Sequence, residues 1–358
     1  MGNRDFSKKI ISWYNESHRS LPWRATRDPY RIWLSEVILQ QTRVAQGLPY
    51  YKNFVKNFPT VGVLAKASEQ KVLREWQGLG YYSRARNLHA CAKKIARDQK
   101  GKFPPSYEGL LKLPGIGTYT AAAIASMAFD EPVAVVDGNV FRVLSRVFGI
   151  EDDISSLAGK KIFIQKANEL LDSSRPGLFN QAVMEFGALH CTPKSPKCSD
   201  CIFSSACVAK ERGIQDLLPI KNSRIKTRNR YFTYFILAKG KMLAMKKRQD
   251  KDIWNGLYDF YLIEHKRSQK TRRTLQGDKA LKELSQLADV TAESKVVKHV
   301  LTHQNIYARF VFLTLPKSFK PNGWLKDSKL HFYSTREVKV LPKPILISRF
   351  LEEKGLLE

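Results

Sequence analysis

Along the first half of the chain, apolar residues recur at helical spacing. Tyr30, Trp33, Leu34, Val37 and Ile38 follow the i, i+3, i+4, i+7, i+8 stripe of a helix. Asp28 supplies an N-cap oxygen at its start, and the ring of Pro29 presets the first-turn φ. The same period predicts helices near 44–57, 68–76, 83–98, 106–112, 118–128, 138–148, 159–172 and 179–189, punctuated by Gly and Pro. Past residue 230 the pattern changes to β-rich runs at 231–239, 258–264, 308–315 and 329–333, interrupted by one helix at about 278–287. The chain of 358 residues is long enough for two cores. The expected architecture is multidomain, with an all-α domain over 1–210 and an α+β domain over 231–358. Between them, 211–230 reads as a basic linker carrying Lys221, Arg224, Lys226, Arg228 and Arg230. A second basic run, Lys266, Arg267, Lys270, Arg272 and Arg273, reads as a solvated loop.

Composition changes the picture in two ways. A hydrophobic share of 43% with 11% aromatics excludes disordered and collagen-like classes. Sixty-one Lys and Arg against 33 Asp and Glu leave a net charge of +28, which points to a polyanionic partner. Nucleic acid suits this charge better than an anionic membrane, because the basic residues are spread along the chain and form no terminal amphipathic helix. No run approaches about 18 apolar residues, and the nearest, 110–128, is broken by Lys112, Pro114 and hydroxyl residues. The polar N-terminus has no apolar signal core, and Phe6 stands where a myristoylation motif needs Ser or Thr. The expectation is a soluble, cytoplasmic, nucleoid-associated monomer with no membrane partner.

Four of the five cysteines, Cys191, Cys198, Cys201 and Cys207, share one 17-residue window with gaps of six, two and five. Cys91 stands alone in a predicted helix and reads as core. Without an export signal, the cluster reads as a metal site ahead of a pair of disulfides. Zn²⁺ and a [4Fe–4S] cluster both accept four thiolates, and spacing does not choose between them. The gaps directly follow Gly187-Ala188-Leu189-His190 and resemble the iron–sulfur loop of the helix-hairpin-helix DNA glycosylase superfamily. That resemblance implies one [4Fe–4S] cluster on the four cysteines, within 191–207.

Leu113-Pro114-Gly115-Ile116-Gly117-Thr118 joins a short predicted helix to a longer one. Glycines permit close backbone approach, and the free N–H groups opening the second helix can grip a phosphate without base preference. The segment resembles the superfamily's hairpin, with Gly115 and Gly117 as DNA contacts. Downstream, Val136-Asp137-Gly138-Asn139-Val140 places Asp137 at a helix start, where the local reading is an N-cap. The resemblance implies that Asp137 faces the sugar of an extruded nucleotide, where a carboxylate would stabilise an oxocarbenium-like charge.

For a DNA glycosylase, as the resemblance implies, expelling a base calls for a general acid, because a base anion is a poor leaving group. Glu36 lies among Trp33, Val37 and Leu39, and partial burial there would raise its pKa toward neutrality. Trp33-Leu34-Ser35-Glu36-Val37-Ile38-Leu39-Gln40-Gln41-Thr42 resembles the adenine-specific branch of the superfamily, the MutY family, in which the matching Glu is the catalytic acid. By the same resemblance, Tyr119 and Asn139 contact the reacting nucleotide, and Trp23, Arg24, Leu39 and Gln181 form the adenine pocket. Bifunctional members carry a lysine where this chain has Tyr119, and a phenol cannot form the imine needed for strand cleavage. Gly78-Leu79-Gly80-Tyr81-Tyr82-Ser83 resembles the loop that wedges into a duplex during base flipping, with Gln41, Thr42, Leu79 and Tyr81 as DNA contacts.

The second domain resembles the Nudix-like C-terminal domain of that family but lacks the Nudix metal-binding glutamate motif. Lys298-His299-Val300-Leu301-Thr302-His303 resembles its lesion-reading loop, with Thr302 and His303 as contacts. The resemblance covers 5–210 closely and 230–350 collinearly. It implies a monofunctional adenine DNA glycosylase that acts in base excision repair on double-stranded DNA holding adenine opposite 8-oxoguanine or guanine. The alternatives are a non-catalytic, metal-bound DNA-structure-binding protein and a pyrimidine-specific glycosylase/lyase like endonuclease III.

Overall fold

A computed structural model describes residues 2–222, 227–249, 252–319, 325 and 327–357. The chain divides into two compact units: Met1–Lys66 with Asn87–Ser223, and Ala67–Arg86 with Arg224–Glu358. Residues 67–86, expected in the helical domain, thus pack with the second unit.

The first unit holds α1 (Asn3–Ser17), α2 (Pro29–Leu39), α3 (Val44–Asn57), α4 (Val61–Lys66), most of α6 (Ser83–Asp98), α7 (Tyr107–Leu111), α8 (Thr118–Phe129), α9 (Gly138–Phe148), α10 (Leu157–Leu170) and α11 (Pro176–Leu189). α5 (Glu69–Glu75) belongs to the second unit. α2 packs on α8, α8 on α11, and α11 on α9 and α1. One core joins Phe6, Ile10, Val143, Phe163, Phe186 and Phe203, and Cys191, Cys201 and Cys207 pack against it. Cys91 is fully buried in α6.

The α2 helix departs from the amphipathic stripe expected of it. Residues 32–38 are all buried, because seven of its eleven residues are Ile, Leu, Val, Trp or Tyr, and such a helix is buried all round. Ser35 satisfies itself by donating to the carbonyl of Ile32 at 2.7 Å, and Glu36 is carried inside with its neighbours. Between α7 and α8, Gly115 adopts φ 77°, and a Cβ there would lie 2.7 Å from Asn87 Cβ, so the turn needs glycine.

The expected linker is shorter than its basic composition suggests. Its first part packs on the helical unit: Ile154 N donates to Ile220 O at 3.0 Å, and Arg146 Nε to Leu218 O at 3.2 Å. Its last part enters the sheet. There Arg230, 4% exposed, is ion-paired with Asp252 and Glu264, so it is a core cation rather than a linker residue. Arg224 and Lys226 lie outside the described residues.

Among the described residues, eight strands form a mixed sheet: β1 (Arg228–Lys239), β2 (Met242–Lys247), β3 (Tyr258–Asp259), β4 (Tyr261–His265), β5 (Asp289–Glu293), β6 (Val297–Leu301), β7 (Gln304–Thr314) and β8 (His331–Ser334). The main order is β3-β2-β1-β7-β5, with β4 on β1, β6 on β7 and β8 on β2. β1 and β7 run parallel from Arg228↔Gln304 to Ala238↔Thr314, and the remaining pairs are antiparallel. The central position of β1 follows from its near-continuous apolar run, buried on both faces over residues 234–237. Helix Lys279–Leu287 covers the sheet through Leu281 and Leu284. The expected loop at 266–273 is helical from Thr271, within Thr271–Gly277. No described helix is long and apolar enough to cross a membrane.

Candidate active site

In the first unit, a cavity of about 190 Å³ collects side chains from α2, α8, α9, α11 and the loop before α2. Glu36, Tyr119, Asp137, Asn139, Trp23, Arg24, Leu39 and Gln181 all line it. Thr42, expected at a duplex surface, lines it too, whereas Gln41 is exposed with a left-handed backbone at φ 55°.

Glu36 is 8% exposed, and its Oε2 accepts a hydrogen bond from the Tyr119 hydroxyl at 2.5 Å. Burial pushes its carboxyl up to about 7, against the lowering effect of that hydrogen bond, and the nearby Asp137 pushes it further. Tyr119 is itself held well above its ordinary value by burial and by the two carboxylates, so it donates to Glu36 as a neutral phenol. Its hydroxyl also lies 3.6 Å from Met184 Sδ.

Asp137 caps α9 as its sequence position suggested: Oδ1 accepts from the backbone N–H of Asn139 at 2.9 Å and of Val140 at 2.8 Å. Its second oxygen accepts from Asn139 Nδ2 at 2.8 Å. Burial raises its carboxyl from the ordinary range, while these three donors pull the other way. Asn139 is oriented in turn by Arg142, whose Nη2 donates to Asn139 Oδ1 at 2.8 Å and to Gly187 O at 2.6 Å. Arg142 Nε reaches Cys191 O at 2.7 Å, so one guanidinium ties the start of α9 to the cysteine segment.

Sequence reasoning missed Glu185. This 1% exposed carboxylate receives Arg24 at 2.8 and 2.6 Å and Arg19 Nε at 2.8 Å, at the cavity wall. Burial would raise its pKa, but hydrogen bonds from Arg24 and Arg19 prevail and hold it at about 2. A signal was present: Glu185 is the one charged residue of α11 and lies one turn after Gln181. Gln181 accepts from Tyr14 OH at 2.8 Å, and Arg24 lies 5.6 Å from the Tyr14 ring centroid.

The four cysteines of the window are free thiols, each half-buried. Arg146 Nη1 lies 3.4 Å from Cys191 Sγ, and Phe203 N donates to Cys201 Sγ at 3.4 Å. Burial pushes Cys201 up to about 11, and the nearby Cys191, Cys207 and Cys198 push it the same way. Among the described residues, no three His, Cys, Asp or Glu side chains are grouped so as to hold a metal ion.

Four of the remaining expected contacts lie in the second unit. Leu79, Tyr81, Thr302 and His303 line a cavity of about 550 Å³. Left-handed turns at Gly78 (φ 102°) and Gly80 (φ 73°) leave Tyr81 38% exposed, but Leu79 is only 6% exposed. Leu79 therefore reaches solvent only through that cavity. Thr302 and His303 form the two-residue turn between β6 and β7, and the Tyr81 hydroxyl is hydrogen-bonded to Thr302 Oγ1. Gly115 and Gly117 stand in the α7–α8 turn of the first unit, where Gly117 caps α8 with no side-chain hydrogen bond.

The family model described as HhH-GPD superfamily base excision DNA repair protein matches residues 34–172, and the NUDIX domain model matches residues 233–353. The chain is 46% identical over 222 residues to the adenine DNA glycosylase of Homo sapiens, a match covering 60% of this chain and 41% of the human protein. It is 36% identical over 260 residues to the adenine DNA glycosylase of Buchnera aphidicola subsp. Schizaphis graminum (strain Sg), covering 71% of this chain and 74% of that one. Among solved structures, a thermostable thymine-DNA glycosylase aligns with a TM-score of 0.54 and 31% identity, covering 59% of this chain and 97% of the other. The match thus spans about two fifths of the human relative but about three quarters of the Buchnera one.

Proposed function

The chain belongs to the adenine DNA glycosylase family, and from that premise we propose that it hydrolyses the N-glycosidic bond of adenine in double-stranded DNA, opposite 8-oxoguanine or guanine. The observation that carries this reading is a buried acid with a pKa of about 7, Glu36, in one small cavity with a capped carboxylate, Asp137. Protonated Glu36 gives its proton to a ring nitrogen of adenine, so the C–N bond breaks to release a neutral base. Positive charge then develops on the sugar, and ionised Asp137 stabilises it. Water adds to that cation and loses a proton, which leaves an abasic site. Tyr119 and Asn139 hold the two carboxyls in place through the hydrogen bonds given above. Trp23, Arg24, Leu39 and Gln181 surround the base, with Glu185 fixing Arg24. Because Tyr119 cannot form an imine, the strand stays intact.

The helix-opening amides after Gly115 and Gly117 suit a DNA phosphate, and Tyr81 and Gln41 suit contact with the opened duplex. Thr302 and His303 are assigned the base opposite, since 8-oxoguanine and guanine differ in groups that a hydroxyl can read. We assign the protein to the cytoplasm as a monomer.

Cys191, Cys198, Cys201 and Cys207 are assigned to one [4Fe–4S] cluster. What supports this reading is the set of four half-buried cysteines in one 17-residue window, whose soft thiolates suit such a cluster. The cluster's contribution when bound is to cross-link the 191–207 segment and so to support Arg142, which reads the Cys191 carbonyl. The purified protein is expected to absorb broadly in the visible, which Zn²⁺ as a d¹⁰ ion cannot do. Cys198→Ser is expected to lower the yield of folded protein and Cys91→Ser to leave the colour intact; a colourless, active protein with stoichiometric zinc would overturn the assignment.

The activity is tested by single-turnover assays on adenine opposite 8-oxoguanine and opposite guanine, with strand scission scored before and after alkali. Adenine release with scission only after alkali is expected. The rate should fall about tenfold per pH unit above pH ~7, as Glu36 loses the proton it must donate. It should also fall on the acid side, where Asp137 becomes protonated. A rate that rises through pH 7 would make Glu36 a base and sink the assignment.

A further inference from the structure

The second unit holds a cavity of about 400 Å³ that adenine excision does not use. α5, the turn after it and the helices Thr335–Val340 and Ile345–Glu353 contribute to its wall through Arg74, Gln77, Lys339, Ser348 and Glu352, with Lys343 from the connection between the last two. Lys343 is 1% exposed yet lines the space. Its Nζ donates to Leu341 O at 2.9 Å and, weakly, to Lys339 O at 3.4 Å. An ammonium has three N–H bonds, so one is left for the cavity.

The surroundings are built around that charge. Gln77 Oε1 accepts from Arg74 Nη1 at 3.1 Å and from Lys343 N at 3.1 Å, while Gln77 Nε2 donates to Ser348 Oγ at 2.9 Å. One amide thus fixes both the guanidinium and the backbone that presents the lysine. The charged groups facing Lys343 are Arg74 on α5, Lys339 on the first C-terminal helix and Glu352 on the second. Burial, reinforced by Arg74, pulls Lys343 down to about 8, and Glu352 opposes this. Among the described lining residues, three cations stand against one carboxylate around an open space, and a phosphate anion is the complement that relieves their repulsion.

We infer that this cavity binds a phosphate group through Arg74, Lys339 and Lys343. The same chemistry serves free phosphate and the phosphodiester of a DNA backbone, and the test separates them. Calorimetric titration of the full chain with inorganic phosphate should show saturable binding, weakened about tenfold or more by Lys343→Met and by Arg74→Gln, and tightened by Glu352→Gln. Arg74 is only half-buried, so Arg74→Gln keeps the test decisive if Lys343→Met fails to fold. At pH 8, in buffers of different ionisation enthalpy, binding should draw in protons as the anion raises the affinity of Lys343 for its own. Binding without proton uptake would remove Lys343 from the site. If inorganic phosphate does not bind but both variants weaken binding of a fully matched duplex, the source is the phosphodiester and the inference stands. If neither phosphate nor duplex affinity responds to either variant, it falls. A normal adenine-release rate in the variants keeps this result separate from the excision activity.

Discussion

Glu36→Gln is expected to slow adenine release by about 10²–10⁴-fold, the range over which a positioned general acid contributes. The amide keeps the side chain's size and can still accept the Tyr119 hydroxyl bond, so only the transferable proton is lost. Duplex affinity should therefore change by no more than a few-fold in a titration with uncleaved DNA. The same substitution has a second expected effect, on stability. Glu36 rises from an ordinary 4.5 to about 7 in the fold, so between those pH values the unfolded chain has released a proton that the folded chain retains. Stability contributed at this site is then lost as pH rises through that window and is missing above it. Glu36→Gln, which cannot ionise, should be more stable than the parent by about 3 kcal/mol at pH 8 and nearly equal to it at pH 4. Denaturant melts at the two pH values decide this. Equal stability at pH 8 would mean that the carboxyl is solvated and its proton unavailable near neutrality. The strain is tolerated because Trp33, Leu34, Val37 and Ile38 on the same helix each gain about 1.5–3 kcal/mol from burial.

Asp137→Asn is expected to lower the single-turnover rate by about 10³-fold, because a neutral amide cannot stabilise the sugar cation. The fold should survive, since Asn is as good an N-cap as Asp and its oxygen can keep the bonds from Asn139 N and Val140 N. One contact cannot be kept. The new amide nitrogen would face Asn139 Nδ2, donor against donor, and Asn139 cannot flip without losing Arg142 from its oxygen. A loss of about 1–3 kcal/mol of stability should accompany the rate defect. Asn139→Ala provides the comparison, because it removes the conflict and retains the carboxylate. If Asp137→Asn stays within tenfold of the parent rate, Asp137 is a helix cap and nothing more.

Local patterns carried much of the fold. Every helix predicted between residues 28 and 190 forms, with ends shifted by a few residues at most, because apolar period, caps and glycine punctuation act over a few residues and are readable there. The β-rich runs at 231–239, 308–315 and 329–333 contain most of β1, of β7 and of β8. β5 and β6 escaped notice because edge strands such as Asp289–Glu293 are exposed along their length and show no alternation. The cysteine gaps, the glycines of the α7–α8 turn and Asp137 as a cap were likewise legible, since each is a property of one short segment.

Local chemistry is legible along the chain: which residues start a helix, which turn needs glycine, and which carboxyls and thiols stand at telling spacing. How those groups are charged and what they face follows from the packing. Glu36 rises to about 7 because α2 is enclosed all round and Asp137 lies nearby, a pairing across about a hundred residues of chain. Glu185 falls to about 2 because two arginines from a loop some 160 residues earlier converge on it. Arg230 reads along the chain as part of a basic linker and is a buried ion-pair centre, while residues 67–86 read as part of the helical domain and pack with the second unit. Desolvation and Coulomb interactions depend on distance in space and on excluded water, and neither quantity is written along the chain.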